Sequence, residues 1–327
     1  MHNKKQLTIL LILIMIFTLT ACQTNTSTKN AQVSSGKIQV VTTLFPQYDF
    51  ARIIGGQDIE VSLLLPPGVE SHSFEPTPQD VLSILNSDIF IYTSIEMEPW
   101  VGEIIKNIDK SKTTVIDASI GIEMIASNHD HDEETSAENE DSHDGDSIDP
   151  HYWLDPNNAI IMVDMITEVI LKKLPDSQSL VLSQQENLVS DLVKLDVDII
   201  EALKKTDSKT ILTGGHFAFG YFAKRYGLES QSPYAGFSPD AEPTPQRIAA
   251  LMKTIEDTKA KAIYYEELID PRVAKIIAEE TGVEMLLLHG AHNLSKQEID
   301  NGITYIEIMR GNLDRIKEGL GYHESTN

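Results

Sequence analysis

The chain is expected to fold as an α/β protein of two similar halves, each built on a largely parallel sheet, joined by one long helix. Three observations carry that expectation. The pentapeptide EPTPQ occurs twice, in SHSFEPTPQDVLSIL (71–85) and FSPDAEPTPQRIAAL (237–251), each time opening an amphipathic segment followed by a β-rich run. Strand-like and helix-like signals alternate before and after the middle of the chain. Between them, Asp176 to Leu212 contains neither Gly nor Pro.

The 327 residues have room for about two domains. Residues 1–22 read as a removable leader: MHNKK is basic, LTILLILIMIF is apolar but short for a membrane span, and LTAC ends at Cys22. Small residues before such a cysteine resemble the bacterial lipobox, in which the cysteine becomes the lipidated first residue. Cys22 is the one cysteine in the sequence, so no internal disulfide is available and stability must come from burial. Residues 23–36, QTNTSTKNAQVSSG, read as a flexible tether. Formal charge is −24, and loss of Lys4 and Lys5 with the leader takes it to −26. That balance argues against nucleic-acid partners and against adhesion to anionic headgroups.

Residues 37–175 form the expected N-terminal lobe. KIQVVTTL, IEVSLLLPPG, DIFIYTS and TTVIDAS read as strands, with QYDFARIIGG and the first EPTPQ segment as helices. Thr77 and Thr244 suit the N-cap, and Pro78 and Pro245 the first helical position, where a missing N–H costs nothing. Residues 128–149 interrupt the pattern with ten acids, three histidines and no Lys or Arg; such a segment cannot bury a core and reads as a long loop. Asp155 with Pro156 opens a helix running to about residue 173. Residues 176–206 read as the connecting helix, with Leu188, Leu192, Leu195, Ile199 and Leu203 recurring along one face. Residues 207–327 repeat the β/α alternation and end in QEIDNGITYIEIMRGNLDRIKEGL, read as one amphipathic helix.

Of ten histidines, His72, His151 and His216 stand where strands give way to loops, the usual ligand edge of open α/β sheets. Imidazole is the commonest side-chain metal ligand and suits zinc. Any one of them alone is more simply a satisfied surface or core histidine. Three in equivalent settings, beside a His- and acid-rich loop, point to a metal site. For a fourth ligand, LLLHGAHNLS (286–295) offers His289 and His292, with Glu242, Glu266 and Glu267 as carboxylate competitors.

PPGVESHSFEPTPQD, DPHYWLDP, GGHFAFGYFAKRYGL, AEPTPQ and YYEELIDPRVAKIIAEETG together resemble the zinc- and manganese-binding solute receptors of bacterial ABC importers, lipoproteins of the zinc-uptake receptor type. The resemblance spans residues 37–320. It implies two Rossmann-like lobes joined by one long rigid helix, with the metal in the cleft between them. It also implies transport to a membrane permease and its ATPase; a monomer is expected, although the residues themselves do not fix the oligomeric state. The family's first three ligand positions match His72, His151 and His216. The fourth, usually an acid and in some members water, falls on His292, a departure from the common pattern.

Three or four neutral nitrogens suit Zn²⁺ in a tetrahedron, whereas Mn²⁺ prefers oxygen-rich shells, so a manganese receptor is the weaker reading. A closed shell implies capture, not catalysis. A zinc hydrolase would need an open position and a general base, and no H-E-x-x-H is present. A surface adhesin remains a third class, with no discrete motif. His129, His131 and His143 would gather zinc weakly near the cleft. Proton competition predicts weakening as pH falls from about 6 to 5. The lipobox and tether favour the outer face of a Gram-positive membrane over a periplasmic home.

Overall fold

The computed structural model describes residues 36–126, 148–234 and 243–324. Cys22, residues 23–35 of the tether, His129, His131, His143 and Glu242 lie outside these residues.

The first half runs β1 (Ile38–Thr42), α1 (Phe45–Gly55), β2 (Ile59–Leu63), α2 (Pro78–Leu85), β3 (Ile89–Tyr92), α3 (Val101–Ile105) and β4 (Thr114–Asp117). Its strands are parallel, in the order β2-β1-β3-β4. A short antiparallel pair, β5 (Ile125–Ala126) and β6 (Ile148–Asp149), precedes α4 (Pro156–Lys173). Then comes the long helix α5 (Gln178–Leu203). The second half runs β7 (Thr210–Leu212), α6 (Gly220–Tyr226), β8 (Glu229–Gln231), α7 (Pro245–Thr258), β9 (Ala262–Tyr265), α8 (Arg272–Thr281), β10 (Glu284–Leu287), α9 (Lys296–Asp300) and α10 (Tyr305–Leu320). β7 pairs with β8 and β9 with β10, all parallel, and a parallel bridge between Thr213 and Tyr264 joins the two pairs. The resulting order, β8-β7-β9-β10, repeats that of the first half. An α/β fold with parallel sheets is therefore what the residues build.

The two EPTPQ copies do the same job in each half. Thr77 accepts from the Asp80 amide and Thr244 from the Arg247 amide, with a proline in the first turn of each helix. The capped helices then cover equivalent sheet faces. Ile84 of α2 packs with Val41 and Phe90, and Leu251 and Ile255 of α7 pack with Leu212 and Ile263. The opposite faces of both sheets share one continuous core, which includes Phe50, Trp153, Leu192, Leu195, Tyr264 and Tyr305. Parallel strands covered on both faces read as unbroken apolar runs, which is why they were visible in the sequence.

The stripe on α5 is buried as its spacing requires, and this helix contacts α1 and α4 of the first half as well as α10 of the second. Val193 and Ile200, which flank that stripe, are 48% and 38% exposed.

Two expectations need correction. The final segment is two helices, because Gly302 takes φ 68° and Thr304 starts a new capping box with Glu307. Strand β8, Glu-Ser-Gln with all three residues exposed, went unread: a polar edge strand has no apolar signature and exists only because β7 offers it a ladder.

Candidate metal centre

The candidate ligands stand beyond the carboxyl ends of strands, each held by a local device. His72 lies in the loop after β2, where Glu70 accepts from the amides of His72 (2.7 Å) and Ser73 (2.8 Å). Glu70 is thus spent on shaping this loop. His151 follows β6, and Asp149 Oδ1 accepts from its amide at 2.9 Å and faces its Nδ1 at 2.8 Å. The Tyr221 hydroxyl donates to the Asp149 carbonyl at 3.0 Å, linking α6 to this segment. Gly220 is needed there, since a Cβ would stand 2.3 Å from Asp149 Oδ2. His216 follows β7 through Gly214 and Gly215; its Nδ1 lies 2.7 Å from Glu266 Oε2, out of line for a hydrogen bond.

His292 follows β10, but its loop is stitched to the first half of the chain. The Phe45 amide donates to the His292 carbonyl (2.9 Å). The Asn293 side chain donates to the carbonyls of Pro66 (2.6 Å) and Val69 (2.9 Å). The Trp153 indole donates to the Gly290 carbonyl (2.8 Å). These bonds cross between the halves and bring the four imidazoles together.

One ligand atom from each of His72, His151, His216 and His292 lies within 4.8 Å of the others. With the Nδ1 proton of His151 given to Asp149, its Nε2 presents a lone pair. That lone pair points at His72 Nε2, 3.2 Å away. At that distance the two nitrogens share either an N–H proton or a cation. Tetrahedral zinc with Zn–N near 2.0–2.1 Å has ligand–ligand edges of about 3.3–3.4 Å, so the spacing suits it.

The other competitors fall outside this quartet. His289 Nδ1 faces Glu267 Oε1 at 3.1 Å, and its Nε2 stands 3.5 Å from Glu298 Oε1. Glu266 and Glu267 form a second group with His292. Asp149 and Trp153, which contact His151, were not singled out in the sequence. Asp149 sits two residues before a candidate ligand, but an acid at that spacing is too common a pattern to select.

Burial sets the electrostatics. It pushes His72 down to about 2, helped by His292 and His216, and holds His151 well below the ordinary imidazole value. Both are neutral and ready to ligate at neutral pH. Burial also pushes Asp149 up to about 7, against its bond from the His151 amide. For His292 burial opposes charge, but the hydrogen bond to Glu267 and the nearby Glu266, Glu267 and Glu70 outweigh it and raise its pKa. His289 follows the same logic beside Glu267 and Glu298 and is pushed up to about 9.

Asp149 stands behind His151 as a carboxylate partner stands behind a ligating histidine, so it would act on a metal through that ring. Asp149→Asn is expected to weaken zinc binding by about 10–100-fold, measured by competition with a chromophoric chelator. Unchanged affinity would mean that the packed walls alone aim His151.

A family model described as zinc-uptake complex component A, periplasmic (ZnuA), matches residues 40–319. The chain belongs to the ZnuA family. The high-affinity zinc uptake system protein ZnuA of Bacillus subtilis is 38% identical over 313 residues, 95% of this chain and 97% of that protein. The zinc-binding protein AdcA of Streptococcus pyogenes is 35% identical over 87% of this chain, which spans only 56% of AdcA. The Zn(II)-bound ZnuA-like domain of Streptococcus pneumoniae AdcA superimposes with a TM-score of 0.72 at 30% identity, covering 87% of this chain and 99% of that domain. These relatives are thus a zinc-uptake protein and zinc-binding proteins, and this chain shares their α/β fold.

Proposed function

We propose that this chain is an extracytoplasmic receptor that captures one Zn²⁺ on His72, His151, His216 and His292 and delivers it to an ABC permease and its ATPase. The observation that carries the reading is the quartet of imidazole nitrogens, three on buried residues and His72 half-buried, with the His72–His151 pair already at the spacing of a zinc shell. Four nitrogens leave no open position for an activated water, so the reading is capture and not hydrolysis. They also disfavour Mn²⁺, which prefers oxygen donors. Residues 37–175 and 207–327 would act as two lobes holding the ion between them, with 176–206 as a strut that keeps their movement small. Lipidated Cys22 would tether a monomeric receptor to the outer face of a Gram-positive membrane. The acidic loop with His129, His131 and His143 would gather zinc for the site.

The test is a competitive titration with elemental analysis, Zn²⁺ and Mn²⁺ offered together, on wild type and His292→Ala. One tight zinc, weakened at least about tenfold in the variant, is the expected result. Zinc bound equally well by the variant would remove His292 from the shell, and a preference for manganese would end the zinc reading.

The pKa directions shift the expected pH dependence upward from the window for ordinary imidazoles. His72 and His151 carry no proton to displace, whereas His292 does. The metal-free protein holds that proton below the raised pKa of His292 and the zinc-bound protein does not. Binding therefore releases it, and affinity declines as pH falls through that raised value, by up to about tenfold per unit. Titrations run from the ordinary imidazole range upward should show the slope together with proton release, and a flat profile would contradict it.

A further inference from the structure

Glu266 is the least explained group beside the quartet. It is 7% exposed, and neither carboxylate oxygen has a hydrogen-bond partner among the described residues. Its Oε2 faces His216, and its Oε1 lies 3.5 Å from His292 Nε2, itself unpartnered on a residue 6% exposed. Buried carboxylate oxygens without donors are costly, and a cation is the natural way to satisfy them. Glu267 completes a triad: Glu266, Glu267 and His292 each place a ligand atom within 4.8 Å of the others. This triad borders a cleft whose walls also include Val69, Glu70 and Leu268. Val69 and Leu268 are partly exposed, so the cleft connects the carboxylates to solvent.

A closed tetra-imidazole shell presents a kinetic difficulty. Zinc cannot leave it in one step without losing several bonds together. A neighbouring donor set that shares one ligand lets bonds exchange singly: of the three Zn–N bonds lost, two are matched by Zn–O bonds to Glu266 and Glu267 and the third by a water from the cleft. We propose that Glu266, Glu267 and His292 form a second divalent-cation position, overlapping the four-imidazole position at His292, on which zinc pauses as it enters and leaves. This rests on the four-imidazole reading. Two carboxylates and one imidazole make a harder donor set than the quartet, so the position also accepts Mn²⁺, more weakly than the quartet holds zinc.

The test uses the purified full chain and Mn²⁺ alone, followed by the loss of the free-ion paramagnetic resonance signal. His72→Ala removes one imidazole from the quartet and leaves the triad complete. It is expected to lose tight zinc but keep one weak Mn²⁺ position, which the further change Glu266→Gln abolishes. A His72→Ala protein that is folded by circular dichroism but binds no Mn²⁺, or binds it equally well after Glu266→Gln, overturns the proposal. A second measurement does not depend on His72→Ala folding. In stopped-flow mixing, Glu266→Gln is expected to slow zinc association about tenfold, the scale on which charged clefts raise on-rates. If Glu266 only positions His216, release accelerates while association is unchanged, and the proposal fails. Failure of the underlying reading looks different: wild type would take no tight zinc, or His72→Ala would leave tight zinc intact.

Discussion

Replacing His151 by alanine should raise the zinc dissociation constant by at least about 100-fold, more than the loss of a carboxylate partner behind a ligand. His151 is fully buried, its Nδ1 is occupied by Asp149 at 2.8 Å, and its Nε2 is 3.2 Å from that of His72. Nothing about this ring needs to be reorganised when an ion arrives, so its share of the binding energy is not spent on ordering it. Truncation leaves a cavity that water can enter, and water is a poorer donor than imidazole. Isothermal competition with a chelator gives the affinity, and circular dichroism checks the fold. Free imidazole added to the variant should recover part of the lost affinity, which distinguishes a missing ligand from a disturbed protein. Zinc held by His151→Ala as tightly as by wild type would remove His151 from the shell.

Trp153→Ala is the second large effect, expected to cost about 3–5 kcal/mol of stability. The indole is completely buried, and its ring centre lies 5.4 Å from those of both His151 and His292. Its N–H reaches the Gly290 carbonyl across the two halves, and its own carbonyl accepts from the Tyr305 hydroxyl. The variant loses the apolar volume, leaves a cavity, and strands a carbonyl that had been satisfied. A urea melt should show the midpoint falling, with Trp153→Phe in between because it keeps most of the volume but not the donor. If Trp153→Phe melts with wild type, the bond to Gly290 contributes little and packing alone explains the position.

Much of this arrangement was legible from the order of residues. Apolar runs such as IFIY and AIYY are parallel strands covered on both faces, and such strands need no alternation to reveal themselves. The repeated capped turn announced the duplication because Thr77 and Thr244 act locally, within three residues of their partners. His72, His151 and His216 stood out because strand ends, glycines and prolines mark the ligand edge in one dimension. His289 and His292 did not separate in the same way. Both follow β10, three residues apart, and what distinguishes them is which carboxylates surround His289 and which imidazoles surround His292.

The residue order alone accounted for the α/β class, the doubled plan, the long helix and the strand-end histidines, since each depends on periodicity or on contacts a few residues long. Other features required the folded chain. Asp149 behind His151, Trp153 bridging to Gly290, Asn293 reaching Pro66 and Val69, and the unpartnered oxygens of Glu266 all depend on where distant segments meet. Asn293 and Pro66 are 227 residues apart in sequence, and the sign of the His292 pKa shift is set by its surrounding glutamates and not by its type. Propensity and pattern are short-range quantities, whereas ligand geometry and buried charge are sums over three-dimensional neighbours.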